Sequence, residues 1–231
     1  MTDATIDRVS VIVPARNEQS LIGRCLRSIR DAEHQLHQRN STPIRTGITV
    51  VLDRCVDATG DIADDHGVRT VAIDAGTVGA ARRAGATAAL ADRTTPADRH
   101  WLVTTDADSV VPADWLVEHL RLAERGAHLV TGLVMPDHRD LSAGQRHRWS
   151  TTTCRQPGHS HVYGANLGIR ADTYWAIGQF PPVPTGEDQA LVDAARAAGA
   201  TIVATDRGTV LTSARRCGRA PDGFAAWLHS G

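Results

Sequence analysis

Apolar positions along the chain fall into runs of two alternating kinds. Val9 to Val13 (VSVIV) is continuous, β-branched and closed by Pro14, which predicts a buried strand ending where a loop begins. In the next stretch, EQSLIGRCLRSIRDAEHQL, the apolar residues Leu21, Ile22, Cys25, Leu26 and Ile29 recur at helical spacing. The pair then repeats. Ile48 to Leu52 predicts a strand, Ala58 to His66 a short helix ended by Gly67, Val68 to Ile73 a strand, and Val78 to Ala91 an alanine-rich helix. Trp101 to Thr105 predicts another strand, and PADWLVEHLRLAERG a helix with Pro112 at its start and Gly126 past its end. Val130 to Met135 returns as a strand.

Such alternation predicts an α/β fold with a mostly parallel central sheet flanked by helices and ligands bound at the carboxyl ends of its strands. Pro14, Asp53 and Asp106 all fall at such ends. The rhythm lapses over residues 136–161, which are polar and follow no sustained period, and a segment of that length in a compact domain points to a functional loop or lid. Beyond it, GANLGIRADTYWAIGQF leads to the helix GEDQALVDAARAAGA, whose first turn carries Glu187 and Asp188 and which Gly199 terminates. TIVAT and GTVLT predict two short strands, and the arginine-rich SARRCGRAPDGFAAWL closes the sequence.

Length and composition narrow the class. At 231 residues, with 42% hydrophobic and 22% charged, the chain is expected to form one soluble domain, 1–231. The net charge of -1 gives no long-range attraction to nucleic acid, so no nucleic-acid partner is expected. All 25 basic residues other than histidine are arginine. Lysine Schiff-base chemistry and a P-loop lysine are thereby excluded, and an anionic ligand must be met by arginine, backbone amides or a metal. Cys25, Cys55, Cys154 and Cys217 are scattered without a CxxC pair, and the N-terminus lacks the pattern of a secretion signal, so a cytoplasmic location is expected. No apolar run approaches the roughly 20 residues of a membrane span, which leaves the short FAAWL near the C-terminus as the one segment suggesting peripheral membrane contact.

The chemistry concentrates in a few short stretches. In TTDADS, Asp106 and Asp108 stand two apart at a strand end, where both can face a hard cation such as Mg2+ or Mn2+. The plainer alternative is an acidic turn in which Asp108 caps the next helix. His159 and His161 form an HxH without a third ligand nearby in sequence, and Trp149, Tyr163 and Trp175 are candidates to stack on a sugar or to pack in the core.

Five stretches in order, VSVIVPARNE, VVLDRCVDAT, VGAARRAG, TTDADS and GEDQALVDAARAAG, resemble family 2 glycosyltransferases of the GT-A fold, over residues 9 to about 216. The resemblance implies a nucleotide-sugar-binding half at about 1–108 and an acceptor-binding half at about 109–231. It implies a UDP- or GDP-sugar donor, with Pro14, Ala15 and Glu18 along the nucleoside and Asp53 accepting a hydrogen bond from the base. Arg82 would touch base or diphosphate, and Asp106 the ribose or a metal-bound water. Asp108 would hold the divalent metal, Mn2+ or Mg2+. Arg215 and Arg216, with Arg219 behind them, are candidates for a diphosphate clamp. Glu187 and Asp188 match the family's acidic pair, which makes Asp188 the general base for an acceptor hydroxyl and implies inversion in a single displacement. The acceptor would be a small-molecule or lipid hydroxyl, and a homodimer is left open.

Departures from the family pattern are also present. Leu52 precedes Asp53 where a second acid is usual, Arg54 and Cys55 follow it, and Arg83 replaces the usual asparagine, which leaves base and sugar undetermined. QRHRW at Gln145 to Trp149 precedes the acidic pair, so it does not match the motif of processive polymerases. The alternative readings are a sugar-1-phosphate nucleotidyltransferase, disfavoured by the missing glycine-rich phosphate loop, and a non-catalytic nucleotide-binding homologue.

Overall fold

The computed structural model describes residues 5–40, 42–137, 139, 141, 144 and 156–213. Arg215, Arg216, Arg219, Trp149, Cys154, Cys217, FAAWL and most of the predicted 136–161 loop lie outside them. In chain order the main elements are β1 (Arg8–Ala15), α1 (Ile22–Arg39), β2 (Arg45–Asp53), α2 (Thr59–Asp65), β3 (Arg69–Ile73), α3 (Val78–Leu90), β4 (His100–Thr104) and β5 (Ser109–Val110). They continue with α4 (Trp115–Glu124), β6 (Leu129–Pro136), β7 (Leu167–Arg170), α5 (Ala171–Ala176), α6 (Glu187–Ala197) and β8 (Ile202–Thr212).

The strands form an eight-stranded sheet in the order β3-β2-β1-β4-β7-β6-β8-β5. The β3–β2, β2–β1, β1–β4 and β6–β8 pairings are parallel, whereas β4–β7, β7–β6 and β8–β5 are antiparallel. β1 lies inside the sheet, between β2 and β4, and its period of two divides it between layers. Val9, Val11, Val13 and Ala15 pack with Ile22, Cys25, Leu26 and Ile29 of α1 and with α4. Ile12 points the other way, into a cluster with Ala86 and Ala89 of α3 and Leu191 and Val192 of α6. Gly85 allows α3 this close: a Cβ there would run into Ile12 and Val51.

Several boundaries depart from the sequence expectation for identifiable reasons. Pro14 does not end β1; it pairs with Val51 of β2, while the ladder with β4 stops at Ile12 and Thr104. Past that point one edge of β1 is unpaired, and the missing N–H costs nothing there. TIVAT and GTVLT are one strand, β8, whose register against β6 shifts between Gly132 and Val134. The extra length of β8 is taken up around Gly208, at φ 67°. β5, β7 and α5 were not anticipated, being two, four and six residues long. No described helix is long and apolar enough to cross a membrane.

Candidate active site

The carboxyl ends of β1, β2 and β4 share one rim of the sheet. Two loops on that rim are tied together: Val56 N–H donates to Asn17 Oδ1 at 2.8 Å and Glu18 N–H to Thr59 Oγ1 at 2.7 Å. Asn17 and Arg54 sit at φ 53° and 57°, a left-handed geometry that turns each loop sharply out of its strand. Asp53, 5% exposed at the end of β2, accepts the N–H groups of Ala75 and Gly76 on Oδ1, both at 3.0 Å. Its carboxylate is therefore fixed in direction by the loop that leads to α3. Pro14, Ala15, Glu18 and Asp53 thus come together around the ends of β1 and β2.

Arg82 organises the floor next to them. Only 3% exposed, it donates Nη2–H to Asp106 Oδ1 at 2.6 Å and Nη1–H to Glu187 Oε1. The composition alone suggests a solvated helix-surface arginine; instead its fork joins α3, the end of β4 and the start of α6. Burial opposes its charge, but Asp106, Glu187 and Asp188 outweigh that and hold it protonated. Burial likewise pushes the Glu187 carboxyl above the ordinary range, with Arg82 pulling it back down. Asp106 is pushed upward, first by desolvation and then by the charges of Asp108 and Asp188, against the pull of Arg82.

Asp188 sits at the first turn of α6, after Gly186 at φ 75°. Its Oδ2 accepts the N–H of Gly164 at 2.8 Å and its Oδ1 the N–H of Gln189 at 2.8 Å. Gly164 is itself anchored, because Thr104 Oγ1 donates to its carbonyl at 2.6 Å. A Cβ on Gly164 would strike the Arg82 guanidinium, so only glycine lets this loop lie over Arg82. Neither Gly164 nor Thr104 stands out in the sequence; the turn-like GAN ahead of LGIR is the signal that points to them.

Asp108 immediately precedes the short β5, beside the end of β8. Its Oδ1 lies 3.4 Å from Thr212 Oγ1 and 3.5 Å from Ser109 Oγ, and its carbonyl accepts Ser213 N–H at 3.2 Å. Cys25 lies beneath, its Sγ–H directed at the Asp106 carbonyl; burial, then Asp108 and Asp106, push its thiol far upward, which leaves it inert. What Asp106 and Asp108 offer a cation here is carboxylate oxygen. Among the described residues no three His, Cys, Asp or Glu side chains form a cage. That chemistry fits a hard divalent ion held by one or two carboxylates that takes its other ligands from water and phosphate.

Of the remaining candidates, His159, His161 and Tyr163 pack against one another, whereas Trp175 does not share that packing. His159 is buried, its Nε2 3.1 Å from the Thr205 carbonyl, and its ring neighbours His161, which stacks on Tyr163 at 5.8 Å. Trp175 is 46% exposed on α5.

A family model described as Glycosyl transferase family 2 matches residues 10–180. Among solved structures, the chain is similar to TarS from S. aureus, with TM-score 0.66 and 14% identity over 89% of this chain and 36% of that one. It is similar to S. aureus TarS 1–349 in complex with UDP, with TM-score 0.64 and 14% identity over 89% and 60%. It also resembles glucosyl-3-phosphoglycerate synthase from Mycobacterium tuberculosis in complex with Mn2+, UDP and glucosyl-3-phosphoglycerate, with TM-score 0.58 and 20% identity over 90% and 73%. At these identities the likeness is one of fold, and the chain spans less than two thirds of the length of either TarS structure. Comparison with curated protein sequences finds no match.

Proposed function

The chain belongs to glycosyltransferase family 2, and on that premise we propose that it moves a single sugar from a UDP- or GDP-linked donor to a small-molecule or lipid hydroxyl, with inversion. The observation that carries this is the Arg82 fork, which draws Asp106 and Glu187 onto one floor and sets Asp188 beside them, on the rim where Asp53 and Asp108 also stand. Pro14, Ala15, Glu18 and Asp53 bound the nucleoside, with Asp53 presenting its oriented carboxylate to a base N–H. Asp106 faces the ribose or a water of the metal shell.

Asp108, with Asp106 beside it, would hold Mn2+ or Mg2+, and a bound divalent ion neutralises the charge that develops on a departing diphosphate. Arg215 and Arg216 are assigned to the same diphosphate from the sequence alone. Asp188, oriented by Gly164, takes the proton of the acceptor hydroxyl while that oxygen attacks the anomeric carbon from the face opposite the leaving group, so the configuration inverts. Glu187 keeps Arg82 in place below it. The UDP bound in two of the neighbours, and the Mn2+ bound in one, support a uridine donor and a metal here.

Calorimetry with UDP and GDP, each with and without Mn2+, tests this. We expect one nucleoside diphosphate to bind in a metal-dependent manner that Asp108→Ala removes; binding indifferent to both metal and Asp108, or none at all, overturns the assignment.

A further inference from the structure

A cleft of about 330 Å³ opens at Asp108, and the other charged residues that line it, Arg24, Asp137 and Arg139, have no part in the donor reading above. The end of β8 forms its back wall. Asp137 N–H donates to the Thr212 carbonyl at 2.7 Å on one side, and Ser213 N–H to the Asp108 carbonyl at 3.2 Å on the other. Asp108 and Asp137 therefore flank Thr212 and Ser213. Arg24, from the first turn of α1, and Arg139 line the same cleft.

Asp137 binds both arginines. Arg139 donates Nε–H to Oδ1 at 3.0 Å and Nη2–H to Oδ2 at 2.6 Å, and Arg24 donates Nη1–H to Oδ2 at 3.4 Å. The Asp137 side chain is 10% exposed, whereas those of Arg24 and Arg139 are 43% and 71% exposed. One recessed carboxylate thus anchors two guanidiniums at the mouth of a concave, partly polar site. Arg24 spends one long hydrogen bond on it, while a guanidinium offers five N–H donors in a fork suited to phosphate or carboxylate. The positive end of α1 adds to the same field.

We infer that Arg24 and Arg139, braced by Asp137, form a subsite for a phosphate or carboxylate group of a bound substrate, in the cleft beside Asp108. The source is either the donor diphosphate or an anionic group on the acceptor. Only this choice of source rests on the glycosyltransferase reading; the anion site itself does not.

The test follows the backbone amides of Val110, Leu211, Thr212 and Ser213 by NMR while inorganic phosphate is added, with and without Mg2+. Saturable shifts at these amides are expected, with affinity about tenfold lower in Arg24→Gln, the cost of one charge-assisted contact, and partly restored in Arg24→Lys. Unchanged β1 amides report that each variant is folded. No saturable response in either condition, or one that Arg24→Gln leaves intact, overturns the site. UDP with Mg2+ is then added: displacement of phosphate identifies the donor diphosphate as the anion, and simultaneous binding identifies the acceptor. If UDP fails to bind at all, the donor assignment falls while the phosphate result still decides the subsite.

Discussion

The Asp188 carboxylate accepts the backbone N–H of Gly164 at 2.8 Å, which ties the first turn of α6 to the loop entering β7. One oxygen is thereby oriented by the protein before any acceptor arrives. Asp188→Asn keeps an acceptor oxygen for Gly164 but removes the base. We expect nucleoside diphosphate affinity within about twofold of the parent and a transfer rate lower by about 10²–10⁴. Calorimetry alongside a transfer assay checks this, and an unimpaired rate removes Asp188 as the base.

Arg82 is the only described guanidinium bonded to both Asp106 and Glu187. Arg82→Met would leave the buried Glu187 and the part-exposed Asp106 facing each other without compensation, a loss on the order of 3 kcal/mol once the solvent access of Asp106 is discounted. Arg82→Lys restores charge but not the fork, so it should recover part of the stability and little of the activity. Urea unfolding of the two variants measures this; a stability for Arg82→Met equal to the parent contradicts it.

Asn166 joins four elements. Its Oδ1 accepts Trp115 Nε1–H at 2.8 Å and lies 3.2 Å from His119 Nε2, and its Nδ2 donates to the carbonyls of Leu133 at 2.8 Å and Gly208 at 3.0 Å. Gly132 makes room for it, since a Cβ there would collide with the amide. Asn166→Ala strands several buried polar groups, and we expect a loss of about 3 kcal/mol. Because Asn166 also begins the segment behind Gly164, the transfer rate should fall more than nucleotide affinity does.

Two buried histidines set an acid limit. Burial depresses His119 and His100 to about 4, His100 pairing with Ser10 at 2.8 Å. Both are neutral in the fold and bind protons in the unfolded chain from about 6.5 downward. Between those values the unfolded state holds more protons, so their contribution is complete above about pH 6.5 and is lost as pH falls towards 4. Each amounts to an order of 3 kcal/mol. Urea midpoints measured from pH 7 to 4 should fall steadily, and a flat profile contradicts neutral burial.

Strong periodicity made the central elements readable. β1, α3 and α6 follow from VSVIV, the alanine-rich run after Val78 and the acidic first turn at Glu187, because burial on one or both faces imposes a pattern over many residues. β7 has four residues, too few to carry a period, and its position between β4 and β6 depends on partners more than 25 residues away. The same limit applies to the site. Asp53, Asp106, Asp108, Glu187 and Asp188 could be singled out as residue types in short motifs. The burial of Arg82 could not, since its partners lie 24 and 105 positions away along the chain. Nor could the Gly164 amide, which is a backbone group in a stretch whose conformation was unassigned.

The central claim is sugar transfer from a nucleotide donor with Asp188 as base and Asp108 as the metal ligand, and product analysis during turnover tests it most directly. Incubated with UDP- and GDP-sugars, Mn2+ and a panel of hydroxyl acceptors, the protein should release free nucleoside diphosphate with no pyrophosphate. That release should be lost in both Asp108→Ala and Asp188→Ala, while Asp188→Ala still binds nucleotide. Release of pyrophosphate, or nucleoside diphosphate formation that survives both substitutions, would contradict the account.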